Sequence, residues 1–136
     1  MSIAGRLRRE VAVRARHHCE YCQLAQKCQE AAFHVDHIHP VAEGGETVLK
    51  NLALACVSCS LRKGARVKAR DPQTGREASL FHPREQDWAE HFAWKGHRVT
   101  GLTSTGRPTI DLLKMNRAII VAIRTEEARH GRHPLA

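Results

Sequence analysis

The chain has 136 residues, 42% of them hydrophobic and 26% charged, with a formal net charge of +8. Its length allows one small domain with a modest core, and two tryptophans, one tyrosine and three phenylalanines leave most of that core to aliphatic packing. No apolar run approaches the ~18–20 residues of a membrane span and no signal-peptide core opens the chain, so a soluble, cytoplasmic protein is expected, with a basic balance that suits a polyanionic partner without requiring one.

In chain order, residues 3–17 predict an amphipathic helix with Ile3, Leu7 and Val11 at helical spacing. Arg6, Arg8, Arg9, Arg14 and Arg16 fall largely elsewhere on it, either as a solvated face or as phosphate contacts. Residues 33–38 predict a short strand, followed by a loop with Pro40 and the turn signal Gly44-Gly45, and residues 51–55 suit the returning strand. A helix is expected from Ser58 to about Lys68, carrying Arg62, Lys63, Arg66 and Lys68, with Gly64 as its weak point. Asp71 to Gly75 reads as a turn. Residues 84–94 predict a helix that places Trp88 and Phe92 one turn apart in a core. His97 to Thr103 predicts a strand ended by Ser104-Thr105-Gly106. Thr109 is expected to cap a final helix that buries Leu112, Met115, Ile119 and Ile123 and stops at Gly131.

The five cysteines include two Cys-x-x-Cys pairs, Cys19 with Cys22 and Cys56 with Cys59. In a reducing compartment such pairs are metal ligands more often than disulfides, and their local spacing is that of a structural zinc site. A redox role for the first pair is the competing reading, but no βαβ pattern surrounds it. Four thiolates on one Zn²⁺ form a closed tetrahedral site and lower the net charge while leaving the chain basic. Cys28 is left over and is expected to be dispensable.

Between the knuckles stand Phe33-His34-Val35-Asp36-His37-Ile38-His39-Pro40 and then Asn51-Leu52. Strand, loop, strand, helix is a ββα unit. Asp36-His37, Asn51 and the position of Ser60, with fourteen positions from His37 to Asn51 and nine from Asn51 to Ser60, resemble the HNH endonuclease motif (the ββα-metal or His-Me finger fold). The knuckles, Pro40, Gly44-Gly45 and Arg62-Lys63-Gly64 resemble its zinc-bearing bacterial branch. The likeness covers roughly residues 19–64. The segment from Asp71 onward looks like the tail of a group of bacterial HNH proteins and adds little about mechanism. The implied fold class is α+β: a small zinc-stabilised ββα-metal core with an N-terminal helix and a helix/strand/helix extension. A single domain over 1–136 is expected, with its core at about 19–70 and the extension at about 71–136.

The resemblance implies a DNA endonuclease that hydrolyses phosphodiester bonds of double-stranded DNA with one catalytic divalent cation, Mg²⁺ or Mn²⁺. It makes Asp36 a ligand of that cation, His37 the general base and Asn51 the residue that orients His37. The chemistry is sound on its own terms. A neutral imidazole is a suitable base near pH 7, and a hard cation held by carboxylate oxygen shields phosphate charge and the departing oxygen. Adjacent strand residues point to opposite faces, so Asp36 and His37 can act together only where the strand ends or bends. His34 shares the face of Asp36 and either joins the metal shell or serves as a structural or phosphate-contacting histidine. His39 shares the face of His37, while His82 and His91 default to surface or packing roles. At the third motif position, where the family has His or Asn, stands Ser60. Its hydroxyl binds the cation directly or through water, or else marks weakened catalysis. Arg62, Lys63 and Arg66 are expected to contact nucleic acid. The alternative function is a catalytically weak or inactive zinc-stabilised nucleic-acid-binding module. A zinc protein that mediates only protein contacts explains the cysteines but not the charge or the Asp-His-Asn set.

Overall fold

In the computed structural model, which describes residues 3–135, the first apolar stripe becomes helix α1, Gly5–Arg14. It stops earlier than the predicted residue 17 because Arg16 and His17 both take left-handed backbone angles (φ 55° and 57°). The architecture is α+β, and the residues fall into two compact units. One comprises the chain up to Val67 together with His82–Gln86, and the other Lys68–Phe81 together with the chain from Asp87 onward.

In the first unit, strands β1 (His34–His37) and β2 (Leu52–Ala55) pair antiparallel, with Asp36 opposite Ala53 and His37 opposite Leu52. All four β2 residues are buried, because α1 and helix α2 (Val57–Lys63) both pack against this strand. Val11 anchors α1 through complete burial, and Arg14 fixes it further by donating from Nη1 to the Leu49 carbonyl (2.9 Å) and from Nη2 to the Leu52 carbonyl (2.6 Å). The loop between the strands closes tightly at Gly45. A Cβ there would sit 1.9 Å from the His39 carbonyl oxygen, so no larger residue fits. Helix α2 ends at Lys63 rather than near Lys68, since Gly64 leaves helical geometry at φ 54°. Its N-cap is Cys56, whose Sγ accepts from the Cys59 amide, so Ser60 lies within the helix.

In the second unit, β3 (Lys68–Arg70) and β4 (Glu77–Ser79) form a hairpin around the expected Asp71–Gly75 turn. Asp71 is fully buried, paired to Arg107 at 2.8 Å, and the guanidinium hydrogen bonds hold its carboxyl down to about 2. The predicted 84–94 helix is corrected to one turn, α3 (Trp88–His91), followed by β5 (Phe92–Lys95), which pairs with β6 (Arg98–Gly101). Trp88 and Phe92 still meet, with ring centroids 4.9 Å apart. Spacing foresaw their contact, but cross-strand pairing decided the backbone.

The single predicted C-terminal helix is two, α4 (Gly106–Leu113) and α5 (Ala118–Arg129). Lys114 breaks the run with a left-handed φ of 50°, and Asn116 pins the break to β6 by accepting from the Val99 amide and donating to its carbonyl (both 2.8 Å). The break rephases the apolar stripe, so Ile120 is buried and Ile119 is 61% exposed. Thr109 is no cap but an internal, buried residue whose hydroxyl accepts from the Phe81 amide and donates to the Thr105 carbonyl. Among the described residues no helix is long and apolar enough to cross a membrane.

Candidate metal centre and active-site cleft

The two knuckles converge. Cys19 and Cys22 follow the turn after α1, Cys56 caps α2, and Cys59 lies in its first turn; all four are buried, with their sulfurs within 4.8 Å of one another. Cys22 Sγ and Cys56 Sγ are 3.7 Å apart. Bonds of ~2.3 Å to a tetrahedral Zn²⁺ put sulfurs about 3.8 Å apart, so the cage has the right size for zinc. Burial pushes the Cys19 thiol well up from its ordinary value, so a thiolate there needs a cation beside it. The Cys28 side chain lies outside the described residues.

Beside this cage a cleft of about 450 Å³ brings His34, Asp36, His37 and Ser60 together. His37 is the last residue of β1, which meets the requirement that the strand end where two neighbouring residues serve one site. Its Nε2 lies 2.9 Å from Thr47 Oγ1. His34 Nδ1 is 2.8 Å from Ser60 Oγ, linking β1 to α2 across the cleft.

Asp36 is the most enclosed of the four. Tyr21 donates its hydroxyl to Oδ2 (2.9 Å), and Lys63 Nζ stands 3.2 Å from the same oxygen. Burial pushes the Asp36 carboxyl up, while the Lys63 charge and the Tyr21 bond pull against it. Lys63 also donates to the carbonyls of His37 (3.3 Å) and Ile38 (3.2 Å), fixing the chain where β1 ends. The expectation that Lys63 contacts nucleic acid is therefore corrected. At 2% exposure its ammonium is an internal counter-ion, turned inward to the buried Asp36 carboxylate 3.2 Å away. Arg62 and Arg66 are exposed as expected but do not line the cleft.

Asn51 does not touch the His37 ring. Its Oδ1 accepts from the His39 amide (2.8 Å), and its Nδ2 donates to the carbonyls of His39 (3.0 Å) and Glu46 (2.9 Å). It ties the two ends of the loop together and so sets the backbone beside Thr47, the partner of His37. His39 turns its Nε2 to the Glu43 carbonyl (3.0 Å).

Two participants escaped the sequence reading. Tyr21 offered a signal, being the only tyrosine in the chain and held between two metal-ligand cysteines. Thr47 offered none, since a lone threonine in a polar loop looks like any other.

Residues 19–66 match the family model described as HNH endonuclease, which spans both knuckles and the cleft-forming hairpin. The match supports nuclease-type hydrolysis in general. No curated protein and no solved structure matches the chain.

Proposed function

With residues 19–66 as an HNH segment, we propose that the protein is a metal-dependent DNA endonuclease with His37 as its general base. The observation that carries this reading is the cleft that joins His37 to a carboxylate, an imidazole and a hydroxyl. When His37 Nε2–H donates to Thr47, the ring is held and Nδ1 keeps the lone pair that a base needs. Nδ1 takes a proton from a water whose oxygen attacks phosphorus, the P–O3′ bond breaks, and the departing 3′ oxygen takes a proton from solvent, so the products carry 5′-phosphate and 3′-hydroxyl ends. Such base catalysis is worth ~10²–10⁴-fold. Asn51 positions rather than reacts: it holds the loop that carries Thr47.

The donor set around the cleft suits a hard divalent cation, with Asp36 and Ser60 as oxygen donors and His34 adjoining. Mg²⁺ or Mn²⁺ held there would screen the phosphate and stabilise the departing oxygen. Zinc would be held by Cys19, Cys22, Cys56 and Cys59 and supply only structure. Double-stranded DNA is the proposed partner, with Arg62 and Arg66 contacting phosphates outside the cleft.

One observation favours the alternative, a nucleic-acid-binding module with little catalysis: Lys63 already neutralises Asp36. A plasmid-nicking assay separates the two. The nuclease reading expects nicked product with added Mg²⁺ or Mn²⁺ and none in EDTA; binding without nicking under any cation would favour the module.

A further inference from the structure

Two lining residues of the cleft come from outside the segment that matches the HNH family, Ile3 and, on α1, Arg8, and Arg8 is the charged one. Among the described residues that line the cleft it is the only arginine or lysine. Its Nε donates to the carbonyl of Ile3 (3.3 Å), itself a lining residue. That bond fixes one edge of the guanidinium and leaves both terminal amino groups for another partner. No carboxylate pairs with Arg8 among the described residues.

Three nearby cations are committed elsewhere, and Arg9 does not line the cleft. Lys63 is spent on Asp36, Arg14 on the carbonyls of Leu49 and Leu52, and Arg6 pairs with Glu10 at 3.5 Å. A phosphodiester entering the cleft therefore meets one uncompensated, permanent positive charge in its lining. A guanidinium with two free amino groups matches two non-bridging phosphate oxygens in a bidentate pair. The helix that carries it is rigidly attached, through buried Val11 and the two Arg14 bonds, so the fork is held in place before substrate arrives.

We propose that Arg8 is a substrate-binding residue that seats a phosphate of the nucleic-acid strand in the His34–Asp36–His37–Ser60 cleft. The proposal rests on the nuclease reading but can fail without it. The test is binding of a short labelled DNA duplex, followed by fluorescence anisotropy over a series of salt concentrations in chelator-free buffer without Mg²⁺ or Mn²⁺, where zinc is kept and no cleavage intervenes. The proteins compared are wild type, Arg8→Ala, Arg8→Lys and Arg9→Ala; Arg9 is exposed on the same helix and does not line the cleft. Arg8→Ala should weaken binding by about fivefold to tenfold at low salt and lower the log–log salt slope by about 0.9. Arg8→Lys should keep the slope and lose part of the affinity, because one charge remains but the bidentate geometry does not. Arg9→Ala should bind more like wild type than Arg8→Ala does. Salt-dependent wild-type binding with Arg8→Ala indistinguishable from Arg9→Ala would overturn the role of Arg8 alone. Absence of any salt-dependent wild-type binding would overturn it together with the nuclease reading.

Discussion

Asp36 shows what one buried charge demands of its surroundings. The carboxylate is 8% exposed and stays within reach of the cleft only because Tyr21 and Lys63 answer it from the protein side. Removing one partner of such a pair is far costlier than the pair's net worth, since the other charge stays buried. Lys63→Met should therefore lower stability by about 3–5 kcal/mol at neutral pH, and Tyr21→Phe by about 1.5–3 kcal/mol, both read by urea unfolding. A Lys63→Met protein with an unshifted unfolding midpoint would show that the ammonium is not needed there. In sequence, Arg62 and Lys63 read alike, as two neighbouring nucleic-acid contacts. Only the fold reveals that Arg62 faces out, donating to Ser58, while Lys63 turns in.

At the scale of elements, the knuckles clamp the hairpin from both sides. One precedes β1, and the other joins β2 to α2. The Cys19–Cys22 turn also carries two further ties: Tyr21 reaches Asp36, and Glu20 accepts from the Leu54 amide (2.8 Å) and pairs with Arg84. Zinc held by the four clustered cysteines would thus be coupled to cleft geometry through adjacent residues. Metal analysis of protein purified without chelator should give one zinc per chain, unchanged in Cys28→Ser and lost in Cys56→Ser. Zinc binding to four thiolates contributes roughly 10–16 kcal/mol of folding free energy at neutral pH, so Cys56→Ser should also fail to form the hairpin unit. Zinc lost in Cys28→Ser but kept in Cys56→Ser would contradict this ligand set. The ligands, the two strands and the interval from His37 to Ser60 were legible in the sequence because each is local, a spacing or a short alternation. The β5–β6 pairing and the break between α4 and α5 were not. Trp88 and Phe92 suit a helix as well as a turn leading into a strand, and nothing local announces that Asn116 will grip Val99.

For the molecule as a whole, charge and chemistry point the same way. A formal net charge of +8 gives an approaching polyanion a favourable field, and four thiolates on zinc would offset only part of it. Several basic residues are structural, however. Arg14, Lys63, Arg107 and Arg124 spend their donors on carbonyls and carboxylates within their own units. The count of lysines and arginines therefore overstates the surface available to phosphate, and composition could not show by how much. The candidate site was legible as a set of residues, but its wiring was not. The Asp36–Lys63 pair, the His37–Thr47 contact and the His34–Ser60 contact each join residues ten or more positions apart. The central claim is that His37 is the base of a metal-dependent nuclease, and the most direct measurement compares initial nicking rates of wild type and His37→Ala in Mn²⁺, at matched zinc content and melting temperature. The account predicts a loss of ~10²-fold or more in the variant; nicking by a clean His37→Ala preparation at the wild-type rate would contradict it.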